Sequence, residues 1–140
     1  MRKYIILAFI LTVTTIIAIA EDSKFINALE KCSSYSESAV VNTEGMNVQS
    51  KKSISGREGN KCVYKETVNL AGVNSTVTCK LTQPQINELT SVMKAYDLMQ
   101  KYSNETVDTS SLSNMDNNPV VNVWNKYLQD PSTCELNIGR

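Results

Sequence analysis

The stretch Asn60 to Leu81, NKCVYKETVNLAGVNSTVTCKL, holds two alternating runs with one cysteine in each. Cys62, Tyr64, Val68 and Leu70 share one parity in the first run; Val73, Val77, Cys79 and Leu81 share one in the second. A period of two places each set on one face of a strand. Folding the runs back about Asn69, Leu70, Ala71 and Gly72 makes an antiparallel hairpin in which Cys62 and Cys79 fall opposite each other on the apolar face. Opposed Cβ atoms in such a pair lie about 4.5 to 5.5 Å apart, so a cross-strand disulfide needs modest local adjustment. The alternative is that each cysteine bonds elsewhere in the core, since four cysteines allow three connectivities.

Upstream of this hairpin, Tyr35 to Asn42 and Met46 to Ser55 flank the turn residues Thr43, Glu44 and Gly45, which reads as a second hairpin. The second run alternates through Met46, Val48 and Ile54 but is polar from Gln49 to Ser53. It is expected as an exposed or edge strand whose Lys51 and Lys52 discourage edge-to-edge association. Gly56 to Asn60 forms the next turn, with two glycines available for positive φ. Before the strands, Asp22 or Ser23 caps a short helix carrying Phe25, Ala28, Leu29 and Cys32 on one stripe.

Downstream, Thr82-Gln83-Pro84-Gln85 opens a helix with a cap residue, a glutamine three positions later and a proline in the first turn. Ile86, Leu89, Met93, Tyr96 and Met99 recur along it at helical spacing, a stripe that packs a core more readily than it lines a groove. The Ser-, Thr- and Asn-rich stretch near 103–118 is expected as a flexible loop. Asn118 and Pro119 then start a last helix with Val120, Val123, Trp124, Tyr127 and Leu128 on its apolar side, ended by Pro131. Cys134 lies in the tail, within reach of a bond back to Cys32. The expected fold is α+β: an N-terminal helix, a four-stranded antiparallel meander and two C-terminal helices packed on one sheet face.

Residues 1–20 read as a cleaved signal peptide: Arg2 and Lys3, an apolar run from Tyr4 to Ile19, and the small-x-small site Ala18-Ile19-Ala20. Residues 21–140 then form a single disulfide-stabilised domain, long enough at about 120 residues to bury roughly two thirds of its unfolded surface. An even number of cysteines, Cys32, Cys62, Cys79 and Cys134, all beyond that site, implies two disulfides in a secreted or periplasmic setting. No membrane span is expected once the signal is removed. Without Arg2 and Lys3 the chain carries 12 basic against 14 acidic residues, which offers no attraction for nucleic acid.

The sequence contains no histidine, so Ser-His-Asp and Cys-His catalysis are excluded, and the commonest zinc ligand is missing. Without a C-x-x-C pair there is no thioredoxin-like or zinc-knuckle spacing. Ser91-Val92-Met93-Lys94 matches S-x-x-K, but the accompanying S-D-N and K-T-G triplets are absent and the serine falls in a helix body. Asp116-Asn117-Asn118 lacks the glycine and glutamate of a calcium loop, and Gly56 to Lys61 lacks P-loop spacing. Glu37, Glu44, Glu58 and Glu66 place carboxylates along the strands, where a cross-strand pair could imitate a glycosidase dyad. Asn74-Ser75-Thr76 and Asn104-Glu105-Thr106 are N-glycosylation sequons. Helix-then-meander order resembles the cystatin arrangement in architecture, yet the Q-x-V-x-G loop is absent and helices follow the strands, so no family is assigned.

No catalytic residue, metal site or cofactor is therefore expected. The expectation is a small exported, non-enzymatic binding or envelope-associated module for a protein, glycan or small ligand. Its contacts would come from the exposed sheet face, with Lys51, Lys52, Lys65 and Lys80, or from the long loop. The alternatives are a secreted inhibitor or effector acting on an extracellular enzyme, and a histidine-free hydrolase using carboxylates or Ser91 with Lys94.

Overall fold

The computed structural model describes residues 23–43, 45–103 and 118–139; the expected signal peptide and nearly all of the stretch near 103–118 expected as a loop lie outside the described residues. In chain order the elements are α1 (Ser23–Lys31), β1 (Tyr35–Thr43), β2 (Met46–Glu58), β3 (Lys61–Leu70), β4 (Val73–Leu81), α2 (Gln83–Ser103), α3 (Pro119–Leu128) and β5 (Cys134–Ile138). The strands form one antiparallel sheet in the order β1-β2-β3-β4-β5. The class is α+β, but the sheet has five strands and not four. The tail expected beyond the last helix is the fifth strand. Cys134, Leu136 and Ile138 alternate there, and β5 pairs with β4 from Ser75↔Ile138 to Cys79↔Cys134.

The central hairpin turns one residue further along the chain than expected. Leu70 pairs with Val73, leaving Ala71 and Gly72 as a two-residue loop with φ of 50° and 83°. Two positive φ values in succession give the turn whose twist matches that of the flanking strands. The Asn69 side-chain amide donates to the Asn74 side-chain carbonyl at 2.8 Å, and the Gly72 N–H donates to Asn69 Oδ1, stitching the turn from both sides. This register moves the cysteines apart: Cys62 lies opposite Leu81, and Cys79 opposite Tyr64. Shifting the pairing by two leaves every side chain on its expected face and changes only its neighbours.

The cysteines accordingly do not join Cys62 to Cys79, nor Cys32 to Cys134. The bonds are Cys32–Cys62, with 5.7 Å between Cα atoms, and Cys79–Cys134, with 4.1 Å. Cys32 follows the last turn of α1 in a left-handed conformation, φ 49°, with the Ser33 N–H reaching back to the Ala28 carbonyl at 2.9 Å. That is the backbone pattern which commonly takes glycine, and here it aims a cysteine at the sheet. The second bond ties the terminal strand to β4 at the first residue of β5. Two disulfides are consistent with an oxidising, extracellular or periplasmic setting.

β2 also departs from expectation. It is an interior strand between β1 and β3, and Val48, Ser50, Lys52 and Ile54 all turn to the covered face. Lys52 therefore does not guard an edge. The pairing slips between Ile54 and Gly56, which skips Ser55 and makes a bulge; Gly56 adopts φ 113° there. Gly56 to Glu58 are thus strand residues and the turn is reduced to Gly59 and Asn60. The extra residue reverses the alternation, so Arg57 shares the face of its partner Cys62 and its guanidinium reaches Gln83 Oε1 at 2.5 Å.

The helices cover one sheet face around a core of Phe25, Leu29, Ile54, Cys62, Tyr64, Cys79, Leu81, Ile86, Leu89 and Trp124. Phe25 packs edge-on to Tyr35 and Tyr64, and Tyr64 stacks obliquely on Trp124 at 5.1 Å, so one aromatic chain links α1, the sheet and α3. The expected capping signals operate. The Thr82 N–H donates to Gln85 Oε1, and Asn118 Oδ1 accepts from the amides of Val120 and Val121 with Pro119 opening α3. Ion pairs clasp the helices from outside, Lys94 with Glu30 at 2.7 Å and Lys126 with Glu88 at 3.1 Å. No helix among the described residues is long and apolar enough to cross a membrane.

Peptide mapping without reduction is expected to recover Cys32 joined to Cys62 and Cys79 joined to Cys134. Replacing Cys79 and Cys134 together by alanine is expected to lower unfolding stability by about 2 to 5 kcal/mol in denaturant titration. A recovered Cys62–Cys79 peptide would overturn the register set by the turn at Ala71 and Gly72 together with the pairing.

Candidate functional site

The alternation along the strands sorts the polar side chains into two separate groups, one beneath the helices and one on the bare side of the sheet. Beneath the helices, Glu37, Lys52 and Glu66 stand directly opposite one another on β1, β2 and β3. Lys52 and Glu66 are buried. The Lys52 ammonium lies 3.5 Å from Glu37 Oε2 and 4.2 Å from the centre of the Phe25 ring, which supplies a cation–π contact. The Tyr64 hydroxyl donates to Glu66 at 2.7 Å and the Tyr35 hydroxyl to Glu37 at 3.0 Å. Each tyrosine sits two residues before its glutamate on the same strand, so alternation alone brings hydroxyl and carboxylate to one face.

Burial pushes the Glu66 carboxyl above its ordinary pKa; the Tyr64 hydrogen bond and the Lys52 charge pull it back down without cancelling the shift. Of the four glutamates that could form a cross-strand dyad, Glu37 and Glu66 do share a face, but Lys52 stands between them. Glu58 instead pairs with Lys80 at 2.7 Å at an exposed position, and Glu44 lies outside the described residues. The row Glu37-Lys52-Glu66 is a charge cluster satisfied from within: a lysine held between two carboxylates, with tyrosine donors on both. It is the arrangement that a buried charge requires.

Among the described residues, no helix lies on the opposite face. Ser36, Ser38, Val40 and Asn42 of β1, Gln49 and Lys51 of β2, Lys65 of β3, Asn74 and Lys80 of β4, and Glu135 and Asn137 of β5 are all exposed on it. Lys51, Lys65 and Lys80 thus lie where the sequence places them, while Lys52 lies on the other side. Thr67 and Thr76 are cross-strand partners whose hydroxyls meet at 3.1 Å. Along the β3-β4-β5 side this face contains a recess of about 350 Å³ lined by Lys65, Asn74, Thr76, Thr78, Glu135, Asn137 and Gly139. Lys65, Thr78 and Glu135 are in one cross-strand row, which sets a cationic and an anionic side chain on either side of a hydroxyl. Sequence reasoning missed Glu135 and Asn137 because it left β5 as tail; the alternation of Cys134, Leu136 and Ile138 was the available signal.

The remaining candidates separate from both groups. Ser91 and Lys94 are exposed on α2, and the Lys94 ammonium is engaged by Glu30. The sequon residue Asn74 is exposed at the rim of the recess, whereas Asn104 and Asp116-Asn117 lie outside the described residues. Among the described residues, no group of three or more cysteine, aspartate or glutamate side chains gathers as a metal site. Comparison of the chain with protein-family models, with curated proteins and with solved structures gave no match.

The raised pKa of Glu66 has a definite sign. A carboxyl whose folded pKa exceeds its unfolded one contributes stability below the ordinary carboxylate pKa, near 4.3, and loses it as pH rises through the folded value. Glu66→Gln keeps an acceptor for Tyr64 and removes the titration. The melting temperature of the wild type relative to this variant is expected to fall as the pH is raised above about 4. Parallel melting curves across that range would show that Glu66 is not held above its ordinary pKa.

Proposed function

We propose that this protein is an exported, non-enzymatic binding module that meets its ligand on the bare face of the sheet. The observation that carries this reading is the division of labour between the two faces. The helices, both disulfides and the aromatic chain lie on one side, and the other holds hydroxyls, amides and three lysines, of which Lys65 lines an open recess. A surface of that composition recognises a polar ligand through several directional hydrogen bonds, with Lys65 and Glu135 available to fix orientation. Disulfides behind the sheet support the reading because a rigid platform loses less entropy on binding.

Exported binding modules of this kind act on proteins, glycans or small molecules, and an inhibitor of an extracellular enzyme would use such a face equally well. A hydrolase reading gains no support from the geometry. The carboxylates that share a face are paired through Lys52, and Lys94 is engaged by Glu30.

Titration of isotope-labelled protein with a neutral oligosaccharide, a zwitterionic dipeptide and an acidic peptide provides the test. At least one probe is expected to shift the amide signals of Lys65, Thr76, Thr78, Glu135 and Asn137. Thr78→Arg, filling the recess, is expected to weaken that binding at least tenfold while leaving the melting temperature within about 2 °C, as suits a surface substitution. Shifts confined to the helical side would place the binding surface elsewhere and overturn the proposal.

A further inference from the structure

Among the described residues the sheet has two edges, and they are built differently. β5 is five residues long, begins at a disulfide and carries Glu135 and Asn137 on its outer face. β1 is nine residues long, YSESAVVNT, and has no lysine, arginine or proline; its pairing with β2 runs without a bulge from Tyr35↔Ile54 to Thr43↔Met46. Those are the devices by which edge strands ordinarily refuse further pairing. The strand's one charge, Glu37, is turned to the covered face, where Lys52 and the Tyr35 hydroxyl already hold it. An added strand would therefore not strand that carboxylate. Val40, at 64 % relative exposure, stands on the outer face of this edge among Ser36, Ser38 and Asn42.

We infer that β1 is a self-association edge: two copies of this chain join β1 to β1 antiparallel about a two-fold axis, making one continuous ten-stranded sheet. The residues near the middle of the strand suit this pairing. About an axis at Ala39, Ser38 of each copy faces Val40 of the other and Glu37 faces Val41, so no like charges are opposed. Joining β1 to the β5 edge of another copy would match nine residues against five and, being head-to-tail, would propagate instead of closing. The two-fold pair closes. It also sets the two bare faces side by side, although the association does not depend on any ligand there.

Sedimentation velocity and light scattering across about 1 μM to 1 mM protein test the inference. The weight-average mass is expected to rise toward twice that of one chain and stop. Val40→Lys brings two ammonium groups close to the axis and is expected to weaken the dimer at least tenfold, whereas Val40→Thr, neutral and β-branched, keeps it. Because Val40 is exposed in the single chain, both variants should retain the wild-type circular dichroism and so remain interpretable. A single-chain mass throughout the range would overturn the proposal. So would a dimer indifferent to Val40→Lys, or a mass that climbs without limit, which would mark head-to-tail pairing. Failure here leaves the ligand-binding face untouched, since its amide shifts are read on single chains.

Discussion

The two-residue turn at Ala71 and Gly72 is the constraint from which most of the structure follows. It sets the register of β3 against β4, and register decides which side chains are neighbours on a sheet. With Leu70 against Val73, Cys62 faces Leu81 and is left for Cys32, while Cys79 faces Tyr64 on one side and Cys134 on the other. One disulfide then draws the end of α1 onto the sheet, and the other holds β5 at its far side. The same two-residue turn placed one residue earlier, at Leu70 and Ala71, would have left the same residues on the same faces, with a different covalent frame.

The sheet is asymmetric in a way that composition alone conceals. The row Glu37-Lys52-Glu66 passes beneath α1 among apolar neighbours, and its charges are held by each other, by two tyrosine hydroxyls and by the Phe25 ring. Such a row contributes little net stability, because desolvation offsets most of the attraction. What it does is specify: slipping β1 or β3 by one residue would turn a glutamate outward and leave Lys52 buried beside fewer partners. The bare face has the opposite economy. Lys51, Lys65, Asn74 and Lys80 remain exposed to water there, although Lys80 is paired with Glu58 and Asn74 with Asn69.

The bulge at Ser55 and Gly56 joins these two regimes. Before it, even-numbered residues of β2 face the helices; after it, Arg57 does, and bonds Gln83 in the first turn of α2. One inserted residue thus re-aims the end of β2 from the sheet's own pattern toward the helix that follows β4.

Much of this was legible in the chain itself. Alternation and helical spacing marked four strands and three helices because those periods are local properties of the backbone. Asn118 with Pro119, and Gln85 with Thr82, marked the helix starts because a cap is formed within one turn. The charged face of the candidate site was partly legible too: Lys51, Lys65 and Lys80 fall on the bare side as their parity dictates. Lys52, Glu135 and the disulfide partners were not. Lys52 reads as a surface residue until Glu37 and Glu66 are brought to either side of it, and β5 reads as a tail until β4 offers it hydrogen bonds. Composition and period determined the elements and their faces. Strand order and cysteine pairing were decided only by the tertiary structure, because each depends on contacts between residues tens of positions apart, whose closing cost and packing no local pattern contains; the register of the central hairpin hung on a one-residue difference in turn placement that alternation does not resolve.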